Sequence, residues 1–371
     1  MNEDKATRYQ RHRRVASVAS LAWSAVLALT FAASGASAGL RDIAEATVGD
    51  APGFARAALA VVVYVAWFAL LNEVATLPFG LYGSFLIERR YGLSRQTLRG
   101  WLSDQGKALT LEVVLGGLSA SVVYFFIRRF PEWWWLPSGA AFALIFVGLA
   151  NLGPVLLLPL FYRITPLGRE SLRVRLLGLA DRAGARVLGV YEWGLSEKTR
   201  KANAALTGLA GTRRILVSDT MLAEYSDDEI EVVLAHELAH HVHGDIWKGL
   251  LFETVLILVG FFVAAWALRE GVSSAGLRGP ADVAGLPLLL LAAGAVTCVM
   301  LPVAHGMSRA HERRADRFAL ELPRNPSAFI SAMRRLAAQN LAEEQPSKIV
   351  EWLFHSHPTI RERIQSAENF R

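Results

Sequence analysis

The chain has 371 residues, of which 53% are hydrophobic and only 19% are charged, and its mean hydropathy is +0.31. This composition is too apolar for an ordinary soluble protein and predicts an integral membrane protein. The single cysteine, Cys298, excludes an internal disulfide and a cysteine-rich metal site, so metal ligands must be His, Asp or Glu. The net charge of +6 does not indicate nucleic-acid binding, because the arginines concentrate beside apolar segments, where anionic lipid and topology account for them.

Apolar segments divide the chain into two predicted domains. Six segments are long and apolar enough to cross a bilayer, at residues 15–40, 57–87, 108–127, 136–162, 249–268 and 286–304. The first four form an N-terminal membrane domain, 1–162, and the last two interrupt a second domain of mixed polarity, 163–371. Because the second segment is longer than one crossing needs, we expect it to continue as a helix beyond the membrane near Pro78.

Basic residues predict the orientation of these spans. Lys and Arg are enriched before the first segment and in the loop 88–107. Positively charged flanks usually remain in the cytoplasm, so the N-terminus, this loop, the region 163–248 and the tail after residue 304 are expected there. Two spans separate the last two regions, which therefore lie on the same face and can share one site.

The first segment has an alternative interpretation as a signal peptide. Arg13 and Arg14 precede the apolar stretch, and Ala36-Ser37-Ala38 resembles a small-residue cleavage site. The apolar stretch exceeds the usual length of a signal-peptide core, about 7–15 residues. We therefore favour a retained span.

The pentad HELAH, residues 236–240, is the strongest chemical signal in the chain. Ser226 and Glu229 form a predicted capping box that starts its helix. Histidines four residues apart lie on one helical face, so His236 and His240 can direct two imidazoles at one metal ion. Glu237 then lies beside that metal and, in a zinc peptidase, takes a proton from the water that the metal activates.

A structural interpretation of the same histidines remains open. A buried helix can carry histidines that only satisfy hydrogen bonds. His241 and His243 are bystanders in either case, because neither lies four residues from another histidine with a glutamate next to it.

Two histidines leave a zinc ion short of ligands, and residues 308–316 offer the missing one. Glu312 and Asp316 are four apart and share a helical face, so one can bind the metal while the other orients a ligand histidine. The alternatives are a solvated acid among the flanking arginines, or His311 as the third ligand.

These motifs, in this order, resemble the CAAX prenyl protease type I family of integral-membrane zinc metalloproteases. The resemblance extends over nearly everything from residue 57 onward. Its three catalytic motifs are HELAH, the ExxxAD pattern that ends at Asp316, and His357-Pro358 followed by Arg363. Further resemblance lies in Leu77-Pro78-Phe79 and in residues 88–92, 96–97, 164–167, 201–208 and 214–222.

The resemblance implies a role for each site residue. His236, His240 and Glu312 would bind one Zn²⁺ per chain, Glu237 would be the general base, and Asp316 would support a zinc ligand. Asn203 would lie on an edge strand to which an extended peptide adds, although it can also be a turn residue. His357 would stabilise the tetrahedral oxyanion, or serve only as a structural residue before Pro358. Arg363 would contact the substrate.

The family resemblance also implies the architecture, which is that of a mainly α polytopic membrane protein. About six transmembrane helices would surround a water-filled chamber, and a small α+β zincin-like domain would cap it. The polar residues within the spans, Asn72, Glu73, Glu112 and Glu253, would line this chamber, because a charge facing lipid is costly.

The sequence therefore predicts a membrane-embedded zinc endopeptidase that acts at the cytoplasmic face of a bacterial inner membrane. Its partners would be the bilayer and a peptide or protein, with or without a lipid. CAAX processing is not assumed, because most bacteria do not prenylate their own proteins and Ala205 replaces an aromatic residue of the eukaryotic strand motif. The alternatives are a membrane quality-control protease, and a transporter or scaffold whose metal is only structural.

Overall fold

The structure, a computed structural model, describes residues 4–49, 53–208 and 210–370. The first part contains helices α1 (Lys5–Ala33), α2 (Ala36–Val48), α3 (Gly53–Gly80), α4 (Ile87–Arg90), α5 (Leu98–Arg129), α6 (Trp135–Leu156) and α7 (Leu158–Phe161). The second contains α8 (Glu170–Arg182), α9 (Asp219–Glu224), α10 (Asp227–Val242), α11 (Asp245–Ser274), α12 (Leu286–Glu321), α13 (Pro326–Asn340), α14 (Lys348–Phe354) and α15 (Ile360–Glu368). Among these residues six helices are long and apolar enough to cross a membrane, which confirms the predicted number of spans.

The first crossing differs from the predicted segment 15–40. Helix α1 begins at Lys5 and ends at Ala33, and a second helix, α2, begins at Ala36. Gly35 separates them with a φ of 78°, a left-handed conformation that is open to glycine but disfavours residues with a β-carbon. Retention of α1 stays a prediction, although its packing against α3 and α12 suits a permanent span.

The second crossing is a continuous helical segment that extends well past Pro78. Helix α3 contains this proline, a π-helical stretch follows at Leu81–Leu86, and α4 continues to Arg90. The expected continuation of this segment is therefore present, with a widened turn after the proline.

Six long helices form a closed ring. Each packs against the next in the order α1, α3, α5, α6, α11 and α12, and α12 packs against α1. Such a ring can enclose a chamber without exposing polar backbone to lipid.

A hydrophobic cluster fills the end of the ring that lies away from the sheet. It draws buried residues from α2, α3, α5, α11 and α12. Here Arg41 Nη1 on α2 lies 2.6 Å from Asp282 Oδ2 in the loop before α12, and the Asp282 side chain is fully buried. Asp282 also accepts hydrogen bonds from the backbone N–H groups of Arg278 and Ala284, at 2.9 and 3.0 Å. The pair therefore ties α2 to the α11–α12 connection.

The opposite end of the ring carries a small sheet. Its strands are β1 (Ile164–Pro166), β2 (Val190–Trp193), β3 (Ala204–Thr207) and β4 (Arg214–Ser218), in the spatial order β1-β2-β4-β3. Only β2 and β4 are parallel, and β3 is an edge strand. The sheet and helices α8, α10 and α13 share the second hydrophobic core.

A buried polar contact joins α1 and α4 to the segment just before β3. Tyr9 on α1 donates a hydrogen bond to Glu88 Oε1 at 2.5 Å, and Lys201 Nζ, just before β3, lies 2.9 Å from Glu88 Oε2. The start of α1, the loop after Glu88 and the sheet therefore lie at the same end of the ring, as the charge pattern predicts.

We expect Asp282→Ala to destabilise the protein strongly, because it leaves Arg41 buried without its partner. Loss of one member of a buried ion pair costs roughly 3–5 kcal/mol. Denaturant unfolding of the detergent-solubilised protein measures this. Glu321→Ala, which removes an exposed pair with Arg317, is the control, with an expected loss below about 1 kcal/mol. An equal decrease in the free energy of unfolding in the two variants would contradict a stabilising role for the Arg41–Asp282 pair.

Candidate metal centre

Helix α10 presents the HELAH residues from within the second core. Its start is a complete capping box: Glu229 N donates to the Ser226 side chain, and Ser226 N donates to Glu229 Oε2 at 2.8 Å. Ser331 and Arg335 of α13 also donate to Glu229, so the start of the helix is fixed from a second element. The chain turns back at Gly244, whose φ of 66° favours glycine.

The structure brings His236, His240 and Glu312 together. His236 Nε2 lies 3.1 Å from Glu312 Oε2, and His240 Nε2 lies 3.4 Å from Glu312 Oε1. One ligand atom from each of the three residues lies within 4.8 Å of the others, an arrangement that can hold a metal ion. Two imidazoles and one carboxylate are a donor set typical of catalytic zinc sites.

Glu312 provides a direct test of whether a cation fits here. Its Oε2 atom is fully buried and accepts no well-formed hydrogen bond from any described residue, although His236 Nε2 and His357 Nδ1 lie 3.1 and 2.7 Å away. A buried carboxylate oxygen without a hydrogen bond is unfavourable unless a cation binds it. The cluster therefore fits a divalent metal ion.

Asp316 lies on the other side of His236. Its Oδ1 atom is 2.9 Å from His236 Nδ1, the ring nitrogen that faces away from Glu312. Burial alone lowers the pKa of His236, but the carboxylates of Asp316 and Glu312 outweigh burial and raise that pKa to about 9. The pocket around His236 therefore strongly favours positive charge.

Arg363 lies beside both Asp316 and His236. Its side chain is nearly buried, and its Nε atom donates to Asp316 Oδ2 at 2.9 Å. Its Nη2 atom lies 3.3 Å from His236 Nδ1. Helix α15 thus brings the guanidinium of Arg363 against Asp316, and contact of Arg363 with the substrate stays a prediction.

Sequence analysis missed Asp245, which stands behind the second histidine. Asp245 Oδ2 lies 3.2 Å from His240 Nδ1, and Arg314 donates to Asp245 Oδ1 at 2.8 Å. Lys248 also contacts the same carboxylate, at 3.2 Å. The sequence signal that could have revealed Asp245 is Gly244. A glycine that ends a helix reverses the chain direction, which here brings the next residue, Asp245, back towards His240.

The remaining predicted residues lie around this cluster. Glu237 is half-buried, directly after His236. His357 is largely exposed and contacts Glu312. Asn203 is exposed immediately before β3, where its backbone pairs with Ser218. His311 faces Asp245 at 3.8 Å instead of joining the three ligand candidates, and neither His241 nor His243 belongs to that group.

Two family profiles cover almost the whole chain. Residues 166–371 match peptidase family M48, and residues 2–163 match the family described as CAAX prenyl protease N-terminal, five membrane helices. The chain belongs to peptidase family M48. In the described part of its N-terminal region, the M48 chain has five helices of 13 residues or more, of which α2 is too short to be a candidate span.

This M48 chain is similar to proteins of bacteria and yeast. It is 32% identical over 314 residues to the uncharacterized metalloprotease YhfN of Bacillus subtilis, covering 84% of this chain and 74% of the relative. It is 28% identical over 320 residues to CAAX prenyl protease 1 of Saccharomyces cerevisiae, covering 80% and 70%. Its fold is similar to the crystal structure of S. mikatae Ste24p, with a TM-score of 0.86, 24% identity and coverage of 98% and 87%. The protein is therefore a membrane metalloendopeptidase of the CAAX prenyl protease type.

We expect Asp245→Asn and Asp316→Asn each to weaken metal retention by roughly 10–100-fold, because each removes a carboxylate that contacts the outward nitrogen of a candidate ligand imidazole. Competition with a chelator of known affinity measures the change in the M48 protein. Asp181→Asn, an exposed aspartate on α8, is the matched control and leaves retention unchanged. A metal affinity equal to that of the wild type in all three variants would show that the two carboxylates do not orient the ligands.

Proposed function

We propose that this protein is a zinc endopeptidase in which His236, His240 and Glu312 hold the metal. The observation that carries the proposal is the convergence of their three ligand atoms within 4.8 Å, although two membrane crossings lie between His240 on α10 and Glu312 near the end of α12. Bound zinc supplies Lewis-acid activation of water and of the substrate carbonyl. Asp316 and Asp245 fix the two imidazoles by contacting their outward nitrogens.

Glu237 is the proposed general base. It follows His236 on α10, and its charge acts on His240, one of the proposed ligands, and on Arg363, which contacts Asp316. Its carboxylate takes the proton of the attacking water and delivers it to the leaving amine. His357, which lies exposed beside Glu312, donates a hydrogen bond to the oxyanion that develops on the substrate carbonyl.

Strand β3 is the proposed docking edge for an extended peptide. It pairs with β4 on one side, and no described strand pairs with its other side. Unpaired main-chain groups on an edge strand can accept a peptide by strand addition. Asn203 immediately precedes this edge, and its exposed side chain would bind the substrate backbone.

The proposed site faces the cytoplasm of a bacterial inner membrane, and the chain divides near residues 162–163 into membrane and protease domains. The basic N-terminal flank and loop 88–107 support this orientation. The relatives named as CAAX prenyl proteases support C-terminal processing as the reaction, on substrates that carry a lipid or lack one.

We expect Glu237→Gln to retain zinc while losing hydrolysis of a quenched fluorogenic peptide by roughly 10²–10⁴-fold, because only the base is removed. His236→Ala loses both metal and activity. Asp228→Asn, an exposed acid-to-amide change on the same helix, is the control and keeps both. Undiminished hydrolysis by Glu237→Gln would contradict the role of Glu237 as the general base.

We expect Asn203→Ala to raise KM by up to about 10-fold with little change in kcat, since one hydrogen bond to the bound peptide is lost. Steady-state kinetics with the same peptide measure the two constants. Asn369→Ala, an exposed asparagine after α15, is the control. A fall in kcat at constant KM would place Asn203 in catalysis instead of docking.

A further inference from the structure

The first membrane span contacts the segment that leads to His357. Gln10 Nε2 on α1 donates a hydrogen bond to the carbonyl of Leu341 at 2.7 Å, and Arg14 Nη1, one turn further along α1, lies 2.6 Å from Glu343 Oε2. Both acceptors belong to the connection between α13 and α14. Leu341 has a φ of 49°, a conformation that disfavours a residue with a β-carbon, so contacts from outside the segment must stabilise it. Helix α1 supplies these contacts.

The Arg14–Glu343 pair is well shielded from solvent. The Glu343 side chain is 5% exposed and the Arg14 side chain is 18% exposed. Such a pair is little screened by salt, and its charge-assisted hydrogen bond is strong. The pair therefore fixes the Glu343 carboxylate relative to the first span.

Glu343 also contacts the residue that stands just before the catalytic segment. His355 Nε2 lies 4.0 Å from Glu343 Oε2, the same oxygen that Arg14 binds. Burial lowers the pKa of His355, Glu343 raises it and Arg14 lowers it, so both members of the pair border a neutral ring. His357 follows two residues later, and its Nδ1 atom lies 2.7 Å from Glu312 Oε2.

The orientation of His357 depends on its flanking residues, because its own side chain is 60% exposed. Arg309 of α12 binds the carbonyls of Glu351 and His355 through a single atom, Nη1, at 3.1 and 2.6 Å. A single donor atom fixes one point of the segment but allows the chain to rotate about that point. Glu343 contacts the ring of His355 instead of its carbonyl, so this second contact restricts the rotation.

We propose that Glu343 is a positioning residue that sets the orientation of His357, and that Arg14 of the first span holds Glu343 in place. The proposal rests on the function proposed above, in which His357 stabilises the oxyanion. Misplacement of a catalytic group by about 1 Å can cost as much as 100-fold in rate, so the effect is measurable. Because α1 also packs against α3 and α12, the first span becomes part of the catalytic unit.

The first test measures kcat and KM with a quenched fluorogenic peptide, and metal retention with a chelator. Glu343→Gln and Arg14→Gln are each expected to lower kcat by roughly 10-fold, with KM and metal retention unchanged. Arg14→Lys keeps the charge and retains most of the wild-type kcat. Arg278→Gln, which breaks an ion pair with Glu45 at the opposite end of the ring, is the matched control and keeps kcat. A wild-type kcat in Glu343→Gln would overturn the proposal.

A double-mutant cycle separates the positioning of His357 from a general structural role of Glu343. His357→Ala removes the group that Glu343 orients. Adding Glu343→Gln to His357→Ala is therefore expected to lower kcat further by less than about 2-fold. Two losses that multiply would show that Glu343 does not act through His357, and this result would overturn the proposal.

Hydrogen exchange tests the positioning without any hydrolysis. The amides of residues 355–359, followed by mass spectrometry, are expected to exchange roughly 10-fold faster in Glu343→Gln than in wild type or Arg278→Gln. Unchanged exchange in Glu343→Gln would overturn the proposal, whatever the activity of the wild type. Faster exchange in a protein that hydrolyses no peptide would support the positioning of His357 and contradict the peptidase function.

Discussion

The close approach of α10 and α12 is the constraint on which the metal centre depends. Each helix places alanines beside its site residues: Ala235 and Ala239 on α10, Ala315 and Ala319 on α12, and all four are fully buried. Small side chains allow two helix backbones to approach closely. Glu312, which has a short reach from its own helix, therefore meets both imidazoles at 3.1–3.4 Å. Larger residues at these four positions would separate the carboxylate from the rings.

Helices α11 and α12 connect the site to the membrane. Helix α12 runs for 36 residues from the filled end of the ring to Glu321, and α11 begins at Asp245, which contacts His240. Both helices are candidate spans, and each supplies a carboxylate to the cluster. Because these carboxylates belong to continuous helices, the metal centre has a fixed position relative to the ring. The contact between Tyr9, Glu88 and Lys201 fixes the edge-strand side of the sheet in the same way.

Regular helical spacing made part of this arrangement predictable. HELAH and the pair Glu312 and Asp316 each follow the helical repeat, and an even number of intervening spans brings them to one face. Asp245 was not predictable in the same way, because its position depends on the left-handed turn at Gly244. The break at Gly35 has a similar cause, since hydropathy records apolar length but not a reversal of backbone conformation. The contact of Arg363 with Asp316 could not be predicted from the sequence, because it depends on how α15 packs against α12.

The segment that carries His357 shows how one helix can organise a site built from several elements. Arg309 of α12 binds the carbonyl of His355 before this histidine, and Arg363 of α15 pairs with Asp316 of α12 after it. Both anchors are charge-assisted hydrogen bonds in largely buried surroundings, where such bonds are strong. The loop between them is short, so His357 has little freedom to leave Glu312. Helix α12 therefore fixes the position of His357 as well as the positions of its own carboxylates, Glu312 and Asp316.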